Sequence, residues 1–353
     1  TQPGVEDLWY FRRVSPLAYL CGDSSERNTE KPLPAQSADG AAILSVFPEG
    51  GWATVRTAET APNRGLAFVF RSSPYGNFSH SHSNQNDFAR HVSGETLLQP
   101  SGYYDGCGTH HQTSWVWPTK SHNCLTLSDA GQLLRSQEAR GAILGPWEEK
   151  TFAYFQGHGD LAYQAFAERC RRHVFYFKRE KVFLLLDEVR AKPGMNFQVQ
   201  WNAHSIGKFA VRRDPQRFAL HRGKSRLLGT ILYHENAFVS LTEGFDPPFF
   251  TVLKENLKFW GNQHHLRFTA ATHAWQRNLG VLLAPGLPGE DPTPIQSWIE
   301  GGWERARFGE IELELNLGLR WAPKRREDGL SPFLKFRVAG EGWALSPAGL
   351  EKI

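Results

Sequence analysis

Six of the fourteen histidines in this 353-residue chain fall between positions 75 and 132: His80, His82, His91, His110, His111 and His122. A neutral imidazole can bind a metal, a charged one can pair with a carboxylate, and both move protons near neutral pH. His80 and His82 stand two residues apart, so in an extended segment both project from one face, which Asn84 and Asn86 continue. A polar row where a buried strand would show apolar residues points to a polar ligand. The run 100–111, PSGYYDGCGTHH, holds three glycines beside Tyr103, Tyr104, Asp105, His110 and His111. Glycines at that density mark a loop that turns tightly or lets a ligand approach the backbone. The set suits neutralising an acidic group and moving protons with His or Tyr. No carboxylate pair of the kind glycoside hydrolysis needs stands out.

The elements that would position these groups are short strands. Runs 42–47, 52–56, 66–71, 96–99, 174–178, 182–189 and 227–233 are rich in β-branched and aromatic residues, and turn signals such as Glu49-Gly50-Gly51 separate them. Many short strands with few helices between them predict antiparallel sheets packed face to face, a mainly β sandwich. Residues 5–20 have apolar positions at helical spacing and predict a short N-terminal helical segment. A polar, Pro- and Gly-rich connector follows at 22–40, and a second break, PGLPG, lies at 285–289. The expected division is 1–41 helix and linker, 42–275 main sandwich, and 276–353 a smaller β module.

Composition narrows the classes further. Twelve Trp and twenty-four Phe make the chain 13% aromatic, which a large β core explains and a sugar-binding face would also use. The net charge of +4 and pI near 8.8 fit an acidic partner. No dense Lys/Arg helix argues for nucleic acid. The four cysteines form no CxxC pair, which disfavours a zinc ribbon or a disulfide framework. The longest apolar run, 182–186, is a strand length and not a membrane span.

Taken in order, SHSHSNQNDF at 79–88, Gly94-Glu95, Pro100-Ser101-Gly102-Tyr103-Tyr104, Ser121-His122-Asn123, Gly131-Gln132 and the paired strands of 171–187 resemble the heparinase II/III-like polysaccharide lyases. The resemblance covers residues from about 42 to the early 200s. It implies a C-terminal β-sandwich that a helical (α/α) toroid precedes, with residues 5–20 the end of that toroid and its remainder not in this chain. It also implies β-elimination on a uronic-acid polymer such as alginate or a glycosaminoglycan, in the periplasm or outside the cell. The partner would be that anionic polysaccharide, with a toroid half, on another chain or in a longer precursor, supplying the opposite wall.

By the same resemblance His80 faces substrate in charge neutralisation or proton transfer, while His82 and His122 match zinc ligands of several members. Pro100 stands where the family has its Asp ligand, and Asp105, His110 or His111 are the residues available to replace it around a structural zinc. Tyr103, Tyr104 and His110 are the further catalytic candidates, and Asn84, Asn86, His111, Trp115 and His204 the substrate-binding ones. Packing is the competing explanation for several of these. Either tyrosine can lie under its loop, His204 can be a satisfied core histidine, Trp115 can be core, and His264-His265 reads as a surface pair in a hairpin. The competing function is a carbohydrate-binding sandwich without catalysis.

Overall fold

The computed structural model describes residues 42–57, 65–102, 105–211, 216–233, 235–248, 263–317 and 332–353. Within these, twenty-three antiparallel strands form four sheets that build three layers. The middle layer is an eight-stranded sheet centred on β9 (Ala167–Phe177), β10 (Val182–Ala191) and β17 (Gln276–Gly286). These three strands are buried almost throughout, because the sheet is covered on both faces and alternation disappears.

Side chains of β9 divide by parity between the two neighbouring layers. Phe175 and Phe177 point one way, against Phe336, with ring centroids 5.5 and 5.6 Å apart. Phe336 lies on β21 (Leu334–Val338) of a six-stranded sheet that starts with β18 (Gln296–Glu300). Tyr176 points the other way and packs on Phe183, which stacks at 4.7 Å on Phe68. Phe68 belongs to β3 (Leu66–Arg71) of a five-stranded sheet, β1 (Ala42–Phe47) through β5 (Glu95–Leu98).

That outer layer is extended by the fourth sheet, which contains β6 (Leu125–Leu127), β11 (Val199–Ser205), β15 (Ala237–Glu243) and β16 (His264–Ala270). The Gln99 amide donates to the His204 carbonyl at 3.0 Å and ties the two sheets edge to edge. The expected mainly antiparallel β-sandwich is therefore present, with a third layer added to it.

Two sequence expectations change. The boundary at 276 would give the whole of β17 to the C-terminal module, although β17 pairs with β10 and with β14 (Ser225–Leu232); the change of sheet comes between Gly286 and Gln296. The C-terminal strands share one continuous core with the rest, since Phe336 and Phe308 reach the rings of β9. The helical segment expected at 5–20 lies outside the described residues. Among the described residues no helix is long and apolar enough to cross a membrane, and Cys107, Cys124 and Cys170 are free thiols.

One core residue is anomalous. Arg90, on β4 (Asp87–Val92), is fully buried, its guanidinium lies 4.5 Å over the Phe183 ring, and none of its three nitrogens has a hydrogen-bond partner. Burial pulls its pKa down to about 10, with the Tyr176 phenol pushing back. A cation without hydrogen bonds in an aromatic core opposes folding. Arg90→Met is expected to stabilise the protein by about 1–4 kcal/mol, read as a higher denaturant midpoint at unchanged slope. A lower midpoint would show that the cation–π contact outweighs desolvation.

Candidate functional site

The site lies on the outer face of the five-stranded sheet and its junction with the four-stranded one. Its centre is Asp87, the first residue of β4, which sits opposite Arg71 at the end of β3. Asp87 is buried and its carboxylate accepts four hydrogen bonds. Oδ1 takes the amides of Phe88 (2.8 Å) and Asn123 (3.0 Å); Oδ2 takes His122 Nδ1 (2.9 Å) and Asn84 Nδ2 (3.1 Å). Asn84 in turn accepts from Arg71 through Oδ1 at 2.5 Å. Burial pulls the Arg71 pKa down, and the Asp87 charge opposes that.

His82 is half-buried beside this cluster, its ring 5.2 Å from that of His122. Burial, then the neighbouring His122 and Arg71, push its pKa down to about 3, against the pull of Asp87. His82 is therefore a neutral imidazole at any physiological pH. His80, two residues earlier, is exposed on the turn. Residues 75–86 form turns and bends, not a strand, so the face expected from alternation does not exist. Asn84 points into the charge cluster, whereas Asn86 is buried toward the core, its Nδ2 3.3 Å from the Cys170 carbonyl. Asn86 takes a positive φ of 63° and packs so tightly on Gly157 that a Cβ there would lie 2.4 Å from its Oδ1. The substrate-binding role expected of Asn86 is thus replaced by a structural one.

A second polar group adjoins the first through His122 and Asn123. Asn123 Oδ1 accepts the His204 amide at 2.8 Å, and His204 Nε2 lies 3.1 Å from the His122 carbonyl. His204 Nδ1 faces His265 Nδ1 at 2.8 Å, and His265 Nε2 lies 2.6 Å from the Gly244 carbonyl. Burial, His265 and His122 hold His204 far below the usual imidazole range. Sequence reasoning took His264-His265 for a surface pair; both are buried, and His265 is bonded to His204 because the two are cross-strand partners.

Trp115 covers this pair, its ring 5.1 Å from that of His265 and its Nε1 3.3 Å from Ser101 Oγ. It is buried, with Phe245 against it and Lys120 over its face, so it packs and is not an open sugar platform. His111 is also buried, with Nδ1 2.7 Å from the Pro247 carbonyl. His110 is exposed at the start of a π-helical turn, Gln112–Val116, with Nδ1 3.2 Å from Ser114 Oγ. Asp105 is buried and accepts from Thr109 Oγ1 in the same loop. Tyr103 and Tyr104 lie outside the described residues. The imidazoles that converge are thus His82, His122, His204 and His265, with His80 and His110 exposed and His111 buried beneath Phe245.

The zinc expectation meets a poor donor set. His122 Nδ1 faces Asp87 and its Nε2 lies 3.1 Å from the Val116 carbonyl, so both ring nitrogens already face protein oxygens and neither points into open space. Pro100 has no ligating side chain, and Asp105 is bonded within its own loop. Among the described residues no three His, Cys, Asp or Glu side chains come together as a metal site. The residues as placed do not fit zinc, and no step below passes through a metal.

Arg172 holds the whole assembly, and the sequence reading missed it. From β9 it makes a bidentate pair with Asp187 of β10 (Nε 2.7 Å, Nη2 2.9 Å), and its Nη1 donates to the carbonyls of Asn86 (2.8 Å) and Asn123 (2.7 Å). One side chain thereby fixes both segments that carry the site. Arg172 and Asp187 are directly opposite one another in two apolar strands, a cross-strand charge pair that could have identified them.

A model of the heparinase II/III-like C-terminal domain matches residues 40–258, well over half the chain. The chain belongs to the heparinase II/III-like family. Solved structures agree on the fold. One described as heparinase III is 15% identical, with TM-score 0.60, over 88% of this chain and 42% of that one. The heparan sulfate lyase HepC of Pedobacter heparinus is 15% identical, with TM-score 0.59, over the same shares. The chain therefore spans about two-fifths of the length of these heparinases. No curated protein matches.

Proposed function

We propose that this heparinase-like chain forms one wall of a polysaccharide lyase site that cleaves a uronic-acid polymer by β-elimination. The reading is carried by His80 and His82, an exposed imidazole and a neutral one two residues apart, set beside the partly buried Arg71–Asn84–Asp87–His122 cluster.

In the reaction a base removes the C5 proton, the freed electron pair becomes the C4–C5 double bond, and the C4–O bond breaks as its oxygen is protonated. His80 is our candidate for exchanging a proton with substrate, a role its exposure on the turn beside the cluster supports. His110 is exposed on the neighbouring loop, and Tyr103 and Tyr104 are carried forward as further candidates from the sequence alone. Hydrogen bonds to the substrate carboxylate from half-exposed Asn84, whose amide keeps one N–H beyond that given to Asp87, and from the histidines would acidify C5–H as negative charge develops there. Similarity to structures described as heparinase III and heparan sulfate lyase favours a glycosaminoglycan over alginate. A helical half would close the cleft from the other side, and the reaction would take place where such polymers are met, outside the cytoplasm.

The full-length protein is expected to release unsaturated uronate from heparan sulfate, followed by its ultraviolet absorbance. His80→Ala should lower kcat/KM by about 10²–10⁴-fold with an unchanged melting temperature. Tight binding without product would favour a carbohydrate-binding sandwich. Full activity in His80→Ala would remove His80 from the mechanism.

A further inference from the structure

We propose that in this chain the place of the family's zinc is taken by a metal-free cluster, in which the Arg71 guanidinium supplies the positive charge and Asn84, Asp87 and His122 fix it by hydrogen bonds.

Three observations carry this. Arg71 reaches Asn84 Oδ1 at 2.5 Å, Asn84 reaches Asp87 Oδ2 at 3.1 Å, and Asp87 Oδ2 meets His122 Nδ1 at 2.9 Å, while His122 Nε2, the nitrogen left for a metal, lies 3.1 Å from the Val116 carbonyl. Second, Pro100 lines a cavity of about 120 Å³ together with Arg71, Asn84 and Asp87. The residue that lost the ligating carboxylate and the residue that brings a guanidinium thus face the same space. Third, a cation standing next to His82 repels a second cation there. Like charges repel more strongly in a partly desolvated site than in water, so the Arg71 charge disfavours Zn²⁺ at an incomplete ligand set.

The physical exchange is simple. A zinc ion organises its ligands by bonding each of them; a guanidinium organises acceptors with a planar fork of donors and never loses its charge. Here Arg71 Nη1 holds Asn84 in the orientation that lets its amide donate to Asp87, and Asp87 gathers the backbone amides of Phe88 and Asn123. The turn carrying His80 and His82 and the strand entry carrying His122 are joined by that carboxylate instead of by a metal. His82, released from ligation, stands half-buried beside the turn that carries His80.

The proposal goes beyond the lyase reading and is tested without it, on the purified full chain. Elemental analysis after dialysis should find well under one equivalent of zinc, and melting curves with and without EDTA should coincide. Arg71→Met should lower the melting temperature by several degrees, whereas Arg71→Lys, which keeps the charge and loses the fork, should fall between. A stoichiometric zinc together with an EDTA-induced drop in melting temperature would overturn the proposal. So would an Arg71→Met protein that melts with the wild type. If Arg71→Met does not fold, Asn84→Ala serves instead, since it cuts the same chain at an uncharged link and should give a smaller drop that EDTA does not enlarge.

Discussion

Asp187→Asn is expected to destabilise the protein by about 3–5 kcal/mol, and its melting temperature should fall on the order of 10 °C for a chain of this size. Arg172 is fully buried, its guanidinium 5.4 Å from the centre of the Phe88 ring, and burial alone would pull its pKa down. The Asp187 charge and its two hydrogen bonds outweigh that and raise it. An amide in place of the carboxylate leaves a buried guanidinium without a counter-charge and sets an N–H against an N–H. Breaking such a pair costs more than the pair itself contributes, because the remaining charge cannot reach water. The double variant Arg172→Met/Asp187→Leu removes both charges and should recover most of the lost stability. It should not recover function, because the carbonyls of Asn86 and Asn123 then lose the donor that holds their segments together. Thermal melts and product release measured on the wild type and the two variants separate these effects. An Asp187→Asn protein that melts with the wild type would show that Arg172 finds its compensation elsewhere. A fully active double variant would show that the two segments do not need it.

This pair also shows how far the sequence could be read. The strands of 66–71 and 182–189 were evident because uninterrupted apolar runs of that length are buried strands, and the family motifs lay in order along the chain. The layer arrangement was not evident, because a strand covered on both faces has lost the alternation that would say which residues face which neighbour. For the same reason Arg172 and Asp187 passed as ordinary charges within strands, and their meaning appeared only with the register that sets them opposite one another. The histidine cluster was half legible. His82 and His122 do meet, yet the residues that organise them, Arg71 and Asp87, belong to strand ends and look like solvated punctuation. Asn86 was misplaced because periodicity was applied to a segment of turns, where it has no force. His265 was misjudged because adjacent histidines in a strand face opposite sides, so one can be bonded across to His204 while its neighbour pairs with Glu243.

Acid should unfold the protein well before its carboxylates titrate. Burial, helped by His122 and Arg71, lowers His82 to about 3; burial, helped by Arg90 and Arg222, lowers His91 to about 4. His204 and His265 are lowered too, first by burial. A histidine whose folded pKa lies below its unfolded value binds its proton only in the unfolded chain. Between the unfolded value, about 6.5, and the folded one, each step down in pH therefore favours unfolding, by up to about 1.4 kcal/mol per unit for each such group. Above pH 7 these groups contribute no slope. At pH 5 His82 and His91 alone should have removed roughly 4 kcal/mol, and His204 and His265 act in the same direction. Glu188 does not confuse the window: burial raises its pKa, but His173 and Arg169 bring it down to about 2, so its stabilisation is lost as pH falls from the ordinary carboxylate value, about 4.3, toward 2. Urea denaturation at pH 8, 7, 6 and 5 should give a flat stability followed by a decline that steepens below pH 6.5. His91→Gln should remove about one proton's share of that slope. Equal stability at pH 7 and pH 5 would mean that the buried imidazoles acquire protons without leaving the folded state, contrary to the burial that lowers each of them.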